Sequence, residues 1–339
     1  VSDLDLSAVR AFVAAVQEGQ FGHAADVLGI TQQGMSKRIA KLESHLGVRL
    51  FDRSPAGIEV TAAGLRVLPY ARSLLSAADD VVGAARPEPR PLRVAILGER
   101  QWTWQSMRYY LDRNPLADVD IVMATAFCSS REALLTGRSD AAFARPTGGP
   151  HRLPPDTGCA PAYVEPLHLL VGKDHPLATR STVTPKEIVP HPVWVPGASV
   201  PSEWADYYRD WSEFSGITIL TGRTPGGAPE REDDRATGRG PFGLEAVLDR
   251  IAASGALAAF SGGGFRNPWH PHIRRLPIVD PTPAYPHALL WSTTNPHPAL
   301  PHLIAYTREN YNRDIASDCW LPEADRPIFL PSVSGPALA

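Results

Sequence analysis

Apolar side chains recur at helical spacing along the first fifty residues, and glycines punctuate the runs. Leu6, Val9, Phe12, Val13 and Val16 lie ahead of Gly19, which predicts one amphipathic helix and its stop. A second, short helix is expected over residues 22–28, with Ala24, Ala25 and Leu28 as its buried side. The two alanines let another helix approach closely. Gly29 then ends this helix in a position that favours a left-handed backbone, Ile30 plugs the core, and Thr31 is placed to cap a third helix. Along that helix Met35, Ile39, Leu42 and Leu46 form one apolar stripe, while the far side presents Gln32, Gln33, Ser36, Lys37 and Ala40. Two helices about a glycine turn, the second with a polar ridge facing outward, make the pattern of a helix-turn-helix. The plainer alternative is a helical bundle with a solvated basic face.

Beyond Gly47 the run "VRLFDRSPAGIEVT" reads as two short strands about a Pro-Ala-Gly turn, a wing with Arg49 and Arg53 placed to meet phosphates. Residues 61–85 then read as one long helix. Leu68, Ala71, Leu75, Ala78, Val82 and Ala85 follow a three-four spacing suited to a coiled-coil seam, and Pro69 predicts a kink. Such a helix is marginal alone in water, so a partner helix from a second copy is expected to cover it, the alternative being packing against its own chain. "RPEPRP" ends it as a hinge. From there the pattern alternates between strands ("LRVAIL", "VDIVMATAF", "SDAAFAR") and helices ("WTWQSMRYYLDR", "SSREALLTGR"), which argues a parallel α/β sheet with right-handed crossovers. "EPLHLLVGKDHPLA" reads as a crossing strand into a second lobe, which continues through "PSEWADYYRDWSEFSG", "GLEAVLDRIAAS" and "ALAAFSG".

Composition narrows the chemistry. With 339 residues, 43% hydrophobic and 20% charged, the chain has material for two or three folded units. The net charge of −3 does not advertise a nucleic-acid partner. Yet Lys37, Arg38, Lys41, Arg49 and Arg53 stand against only Glu43 and Asp52, so any DNA contact rests on a local patch. No apolar run is long enough to span a membrane, and the first twenty residues lack a basic region typical of a secretory signal. Three widely spaced cysteines, Cys128, Cys159 and Cys319, fit a reducing, cytoplasmic setting. No G-x-S-x-G, H-E-x-x-H or phosphate-loop pattern occurs, so neither catalysis nor a metal or other cofactor is expected. "SGGGF" at residues 261–265 stands alone. Glutamine pairs with adenine edges, lysine with guanine, and serine with bases or phosphates.

In order, "FGHAADVLGITQ", "MSKRIAKLESHLGVRLFDR", the wing and "TAAGLRVLPYAR" closely resemble the DNA-binding end of LysR-type transcriptional regulators. The resemblance is strong over residues 4–85 and holds at the level of layout over 92–310. It implies an α/β chain with an N-terminal winged helix-turn-helix (residues 1–60) and a long linker and dimerisation helix (61–86). A hinge (87–91) and a two-lobed, periplasmic-binding-protein-like effector domain (92–312) follow, with residues 313–339 as a C-terminal tail. Carried over by position, Gln32, Gln33, Ser36 and Lys37 face the major groove, with Thr31 and Arg38 on the same helix and Arg53 on the wing. Gln33 and Gly34 stand where the family more usually has proline and alanine. The implied partners are double-stranded promoter DNA, a small-molecule effector, a second copy in a homodimer or homotetramer, and RNA polymerase.

In open α/β sheets ligands bind at the carboxyl ends of strands, here between the lobes. The candidate effector residues are therefore Arg100, Gln101, Trp102, Ser129, Ser130, Arg145 and Ser199. Serines at a helix start offer hydroxyls and free amides to an anion, although they serve equally as plain caps. Two rival readings remain: a redox-sensing regulator using Cys128, and an enzyme-like ligand domain tethered to a DNA-binding head. The charged, glycine-rich stretch at 221–243 is expected to be a disordered insertion or a lid.

Overall fold

Asp5 accepts a hydrogen bond from the Ser7 amide to start α1 (Leu6–Glu18), and Gly19, at φ 67°, closes it. α2 (Phe21–Val27) and α3 (Gln32–Leu46) complete the head around Phe12, Ala15, Ala24, Ala25, Met35 and Ile39, as the spacing predicts. Phe51 seals this core, its ring edge-on to Phe12 and Phe21 at 5.5 Å each. The computed structural model of the chain describes residues 4–54, 57–84, 90–124, 129–222 and 244–330. The wing tip at 55–56, most of the hinge, Cys128, nearly all of the 221–243 stretch and the chain from 331 onward lie outside the described residues.

The wing is β1 (Phe51–Ser54) against β2 (Gly57–Val60), antiparallel, with Phe51 opposite Val60. Its root is pinned to α3, because the Glu43 carboxylate accepts from the Leu50 and Phe51 amides at 2.7 and 3.2 Å. α4 (Ala62–Ala84) is one helix, continuous through Pro69. The expected seam is only partly available to a partner. Leu68, Ala71 and Leu75 pack on the head's own core; Val82 of the seam is exposed, and among the described residues Leu65, Tyr70, Leu74 and Val81 are exposed beside it.

In the second half, β3 (Leu92–Ile96), α5 (Trp102–Arg113), β4 (Val119–Met123), α6 (Ser130–Leu135) and β5 (Ala141–Ala144) form the parallel unit that the alternation predicts. β6 (Thr157–Gly172) and β11 (Thr282–Ser292) are the long crossing strands. Between them come α7 (Pro185–Ile188), β7 (Val193–Trp194), a 3-10 turn (Pro196–Ser199), α8 (Glu203–Ser215), β8 (Ile219–Leu220), α9 (Leu244–Ala252), β9 (Ala258–Gly262) and β10 (Ile273–Pro277). After β11 follow α10 (Leu300–Glu309), α11 (Arg313–Ser317), β12 (Cys319–Trp320) and α12 (Arg326–Phe329). The sheet order is β4-β3-β5-β11-β6-β9-β7-β8, with β10 on β6 and β12 on β11. Two apolar cores are the largest among the described residues of this half. One gathers Val94, Met107, Phe143, Leu289 and Leu303, and the other Val193, Tyr207, Trp211, Ile217 and Leu276.

Residues 313–330 of the expected tail pack on the domain. β12 adds to β11 in parallel, and Ala316, Leu321 and Phe329 are buried against Ala144, Val164 and Leu290. The physical reason lies in spacing: the buried Ala316, Leu321 and Phe329 are too irregularly placed for one helix or strand and find their surface only on the folded sheet.

Candidate functional sites

The first site is the outer side of α3. Thr31 caps the helix, its hydroxyl oxygen accepting from the Gly34 amide at 3.1 Å. Met35, Ile39 and Leu42 point inward and are buried, which turns Gln32, Gln33 and Lys37 to solvent and leaves Ser36 and Arg38 half-buried beside them. The ridge therefore sits on the amino-terminal turns, where amide donors and the helix dipole favour an approaching phosphate. Lys41 is drawn away from it. Its ammonium donates to Asp5 at 2.7 Å and, ahead of Ser7, holds that carboxyl far below the usual carboxylate range. Arg49 is exposed at the root of the wing, and Arg53 stands in β1 opposite Ile58; the Arg53 side chain lies outside the described set.

The second site lies where the crossing strands meet the two lobes. Arg100 and Gln101 lead into α5, whose first residue is Trp102. The Trp102 ring stacks on Tyr163 of β6 at 4.4 Å and 15°. Arg100 exchanges backbone contact with the segment after β9, its carbonyl accepting from the Arg266 amide at 2.9 Å. Ser129 is a helix cap, accepting from the Glu132 amide at 3.1 Å. The Ser130 hydroxyl is buried without a partner, and the exposed Ser199 donates to the Pro196 carbonyl within its own turn. Arg145 does not face a ligand. Its Nε donates to Asp325 at 2.8 Å, one Nη to Asp210 at 2.9 Å and the other to the Glu203 carbonyl at 3.0 Å. With its side chain 1% exposed, it leaves the effector-facing set and instead ties β5, α8 and the 313–330 segment together.

Sequence reasoning passed over the residues that surround Trp102. Tyr163 and Glu165 project from alternate positions of β6, opposite His287 and Tyr285 of β11. Burial, and then Arg275, pushes the His168 imidazole down to about 4, so it is neutral near pH 7. Burial, and then Glu165, raises the Tyr163 hydroxyl. The only signal in sequence was the alternation of polar residues along β6 and the glycines at 262–264.

Burial also pushes the Cys159 and Cys319 thiols up to about 11. At pH 8 about one molecule in a thousand would carry either thiolate. Both cysteines are therefore expected to react slowly with 5,5′-dithiobis(2-nitrobenzoate) in the folded chain and fast in urea. Equal rates in both states would contradict this burial.

Residues 6–65 match the model of the bacterial regulatory helix-turn-helix protein, lysR family, and residues 85–223 that of the LysR substrate binding domain. A probable hydrogen peroxide-inducible genes activator of Mycobacterium leprae (strain TN) is 43% identical over 88 residues, covering 26% of this chain and 28% of that protein. The uncharacterized HTH-type transcriptional regulator YnfL of Escherichia coli (strain K12) is 32% identical over 198 residues, covering 56% and 65%. These matches thus span less than two thirds of either relative. Full-length CbnR, solved with its target DNA, shares the fold: TM-score 0.59 at 22% identity, over 91% of this chain and 100% of that one. No helix among the described residues is long and apolar enough to cross a membrane. With a helix-turn-helix head, a linker helix and a two-lobed α/β domain in the family's order, the chain belongs to the LysR-type transcriptional regulators.

Proposed function

We propose that the chain binds promoter DNA through the α3 ridge and that a small molecule held between its two lobes modulates that binding. The observation that carries this reading is the split of α3 into a buried apolar side and an exposed side bearing Gln32, Gln33 and Lys37. Amide and ammonium groups of that kind read base edges in the major groove, while Thr31, Ser36, Arg38, Arg49 and Arg53 are suited to position the head on phosphates. A second copy of the head is required for a two-part operator, and the exposed apolar residues of α4, Tyr70 (77% exposed) and Val81 among them, supply a surface for it. The effector's binding energy would act by favouring one arrangement of the lobes over another.

The test is a gel shift with the DNA upstream of the chain's own gene and its neighbours. The wild-type protein should prefer one such segment to bulk DNA, with affinity falling as salt rises. Lys37→Ala should weaken that binding roughly tenfold or more while leaving thermal stability unchanged. An unaltered affinity and footprint would remove α3 as the reading element.

The redox alternative rests on Cys128, which lies outside the described residues. The two described cysteines do not favour it, since a sensor thiol has a lowered rather than a raised pKa.

A further inference from the structure

At the junction of the lobes one buried carboxylate is left without a full set of partners. Tyr163 lies opposite His287 and Glu165 opposite Tyr285 in the β6–β11 register, so all four side chains share one face of the sheet. Glu165 is 6% exposed. Its Oε2 lies 3.4 Å from His287 Nε2, a long contact, and its Oε1 is buried with no hydrogen-bond partner. Arg275 acts on Glu165 only through its field, because its Nη2 donates to the carbonyls of Gly262 and Gly263 at 2.7 and 2.8 Å. A buried acceptor without a donor is costly, and native chains keep one mainly where another group supplies the donor.

The glycines of "SGGGF" close over the same point. A Cβ on Gly262 would fall 2.1 Å from the Glu165 carboxyl carbon. One on Gly264 would lie 3.1 Å from Trp102 Cβ, 3.3 Å from Tyr163 Oη and 3.4 Å from Glu165 Oε1. At Gly262 the carboxyl group itself takes the place of a Cβ, so glycine lets it sit against the strand, and at Gly264 the missing side chain leaves Oε1 uncrowded. The stacked Trp102–Tyr163 pair provides a flat aromatic wall next to it.

We propose that this junction takes the cationic end of the effector, an ammonium, amidinium or guanidinium group, with Glu165 Oε1 as acceptor. The inference rests on reading the two-lobed domain as effector-binding and adds the charge of the ligand. An N–H donor completes the unpaired oxygen with a charge-assisted bond. An anion brought there would meet a carboxylate, which the Arg275 charge, hydrogen-bonded at the carbonyls of Gly262 and Gly263, only partly offsets. Trp102 comes from one lobe and the 262–264 glycines from the other, so a cation bound between them touches both.

Calorimetric titration of the full-length protein with benzamidinium chloride, beside sodium benzoate at equal ionic strength, tests this. The wild type should bind benzamidinium saturably and benzoate not at all. Glu165→Gln, nearly equal in shape, should stay folded in a thermal melt and bind benzamidinium about tenfold more weakly or worse. Equal binding by Glu165→Gln, no saturable benzamidinium binding by the wild type, or a preference for benzoate would each overturn the proposal. A promoter gel shift run in parallel separates the two readings. Benzamidinium bound through Glu165 without any change in promoter affinity upholds the cation site and removes the effector role. Promoter binding that responds to benzoate alone upholds the effector role and removes the cation site.

Discussion

Asp325→Ala should lower the stability of the two-lobed domain by about 3–5 kcal/mol, the usual cost of breaking a buried ion pair from one side. Asp325 is fully buried and meets Arg145, itself 1% exposed, at 2.8 Å. Thr147 donates its hydroxyl to the same carboxylate at 2.6 Å. Loss of the carboxylate leaves a buried guanidinium held by the partly exposed Asp210, the Glu203 carbonyl and the face of the Tyr207 ring. The same change frees the segment that carries Leu321 and Phe329 from its electrostatic anchor. Urea unfolding followed by tryptophan fluorescence measures the effect. A loss below about 1 kcal/mol would mean that the pair's desolvation nearly cancels its attraction. Asp325→Asn keeps one acceptor oxygen and should fall between the two.

The second large effect concerns the joint between head and linker. Gly64→Ala should destabilise the head by about 1–3 kcal/mol, although alanine is the better helix former by about 1 kcal/mol. A Cβ at that position would stand 2.5 Å from the Leu50 carbonyl oxygen and 2.7 Å from Val60 Cγ1. The Leu50 carbonyl cannot step aside, because it accepts the Thr61 amide at 3.0 Å while Glu43 holds the Leu50 amide. The first turn of α4 would have to lift away from the wing, and operator affinity should fall with it. Thermal melts of the two proteins decide the sign. A higher midpoint for Gly64→Ala would show that propensity outweighs contact and that the helix rests less closely on the wing.

The head was legible because its elements are local. Glycine stops at 19, 29 and 47, the Thr31 cap and the 35-39-42 stripe are each decided within one or two turns, and each appears where the pattern puts it. The helices and strands of the parallel unit were legible for the same reason, α5 to the residue. The linker was half legible. Its spacing announces an apolar seam, but a spacing cannot say whether the seam faces the same chain or another, and Leu68, Ala71 and Leu75 face the head. β10 and β12 carried no readable signal of their own, since each is short and stabilised by a long neighbour.

The candidate effector residues divide along the same line. Trp102, one of the expected effector residues, stacks on Tyr163. Arg145, another of them, is absorbed by partners 58, 65 and 180 residues away in sequence. Tyr163, Glu165 and His287 had no motif to announce them.

By itself, then, the sequence determined the order of the units, the outward ridge of α3 and the alternating α/β layout, because caps, glycine stops and periodicity act over a few residues. Only the tertiary structure decided that residues 313–330 lock into the domain, that Arg145 is neutralised internally, and that Glu165 lies buried with an oxygen unpaired. Burial and charge pairing depend on groups brought together from distant points of the chain, and no local pattern encodes which of them will meet.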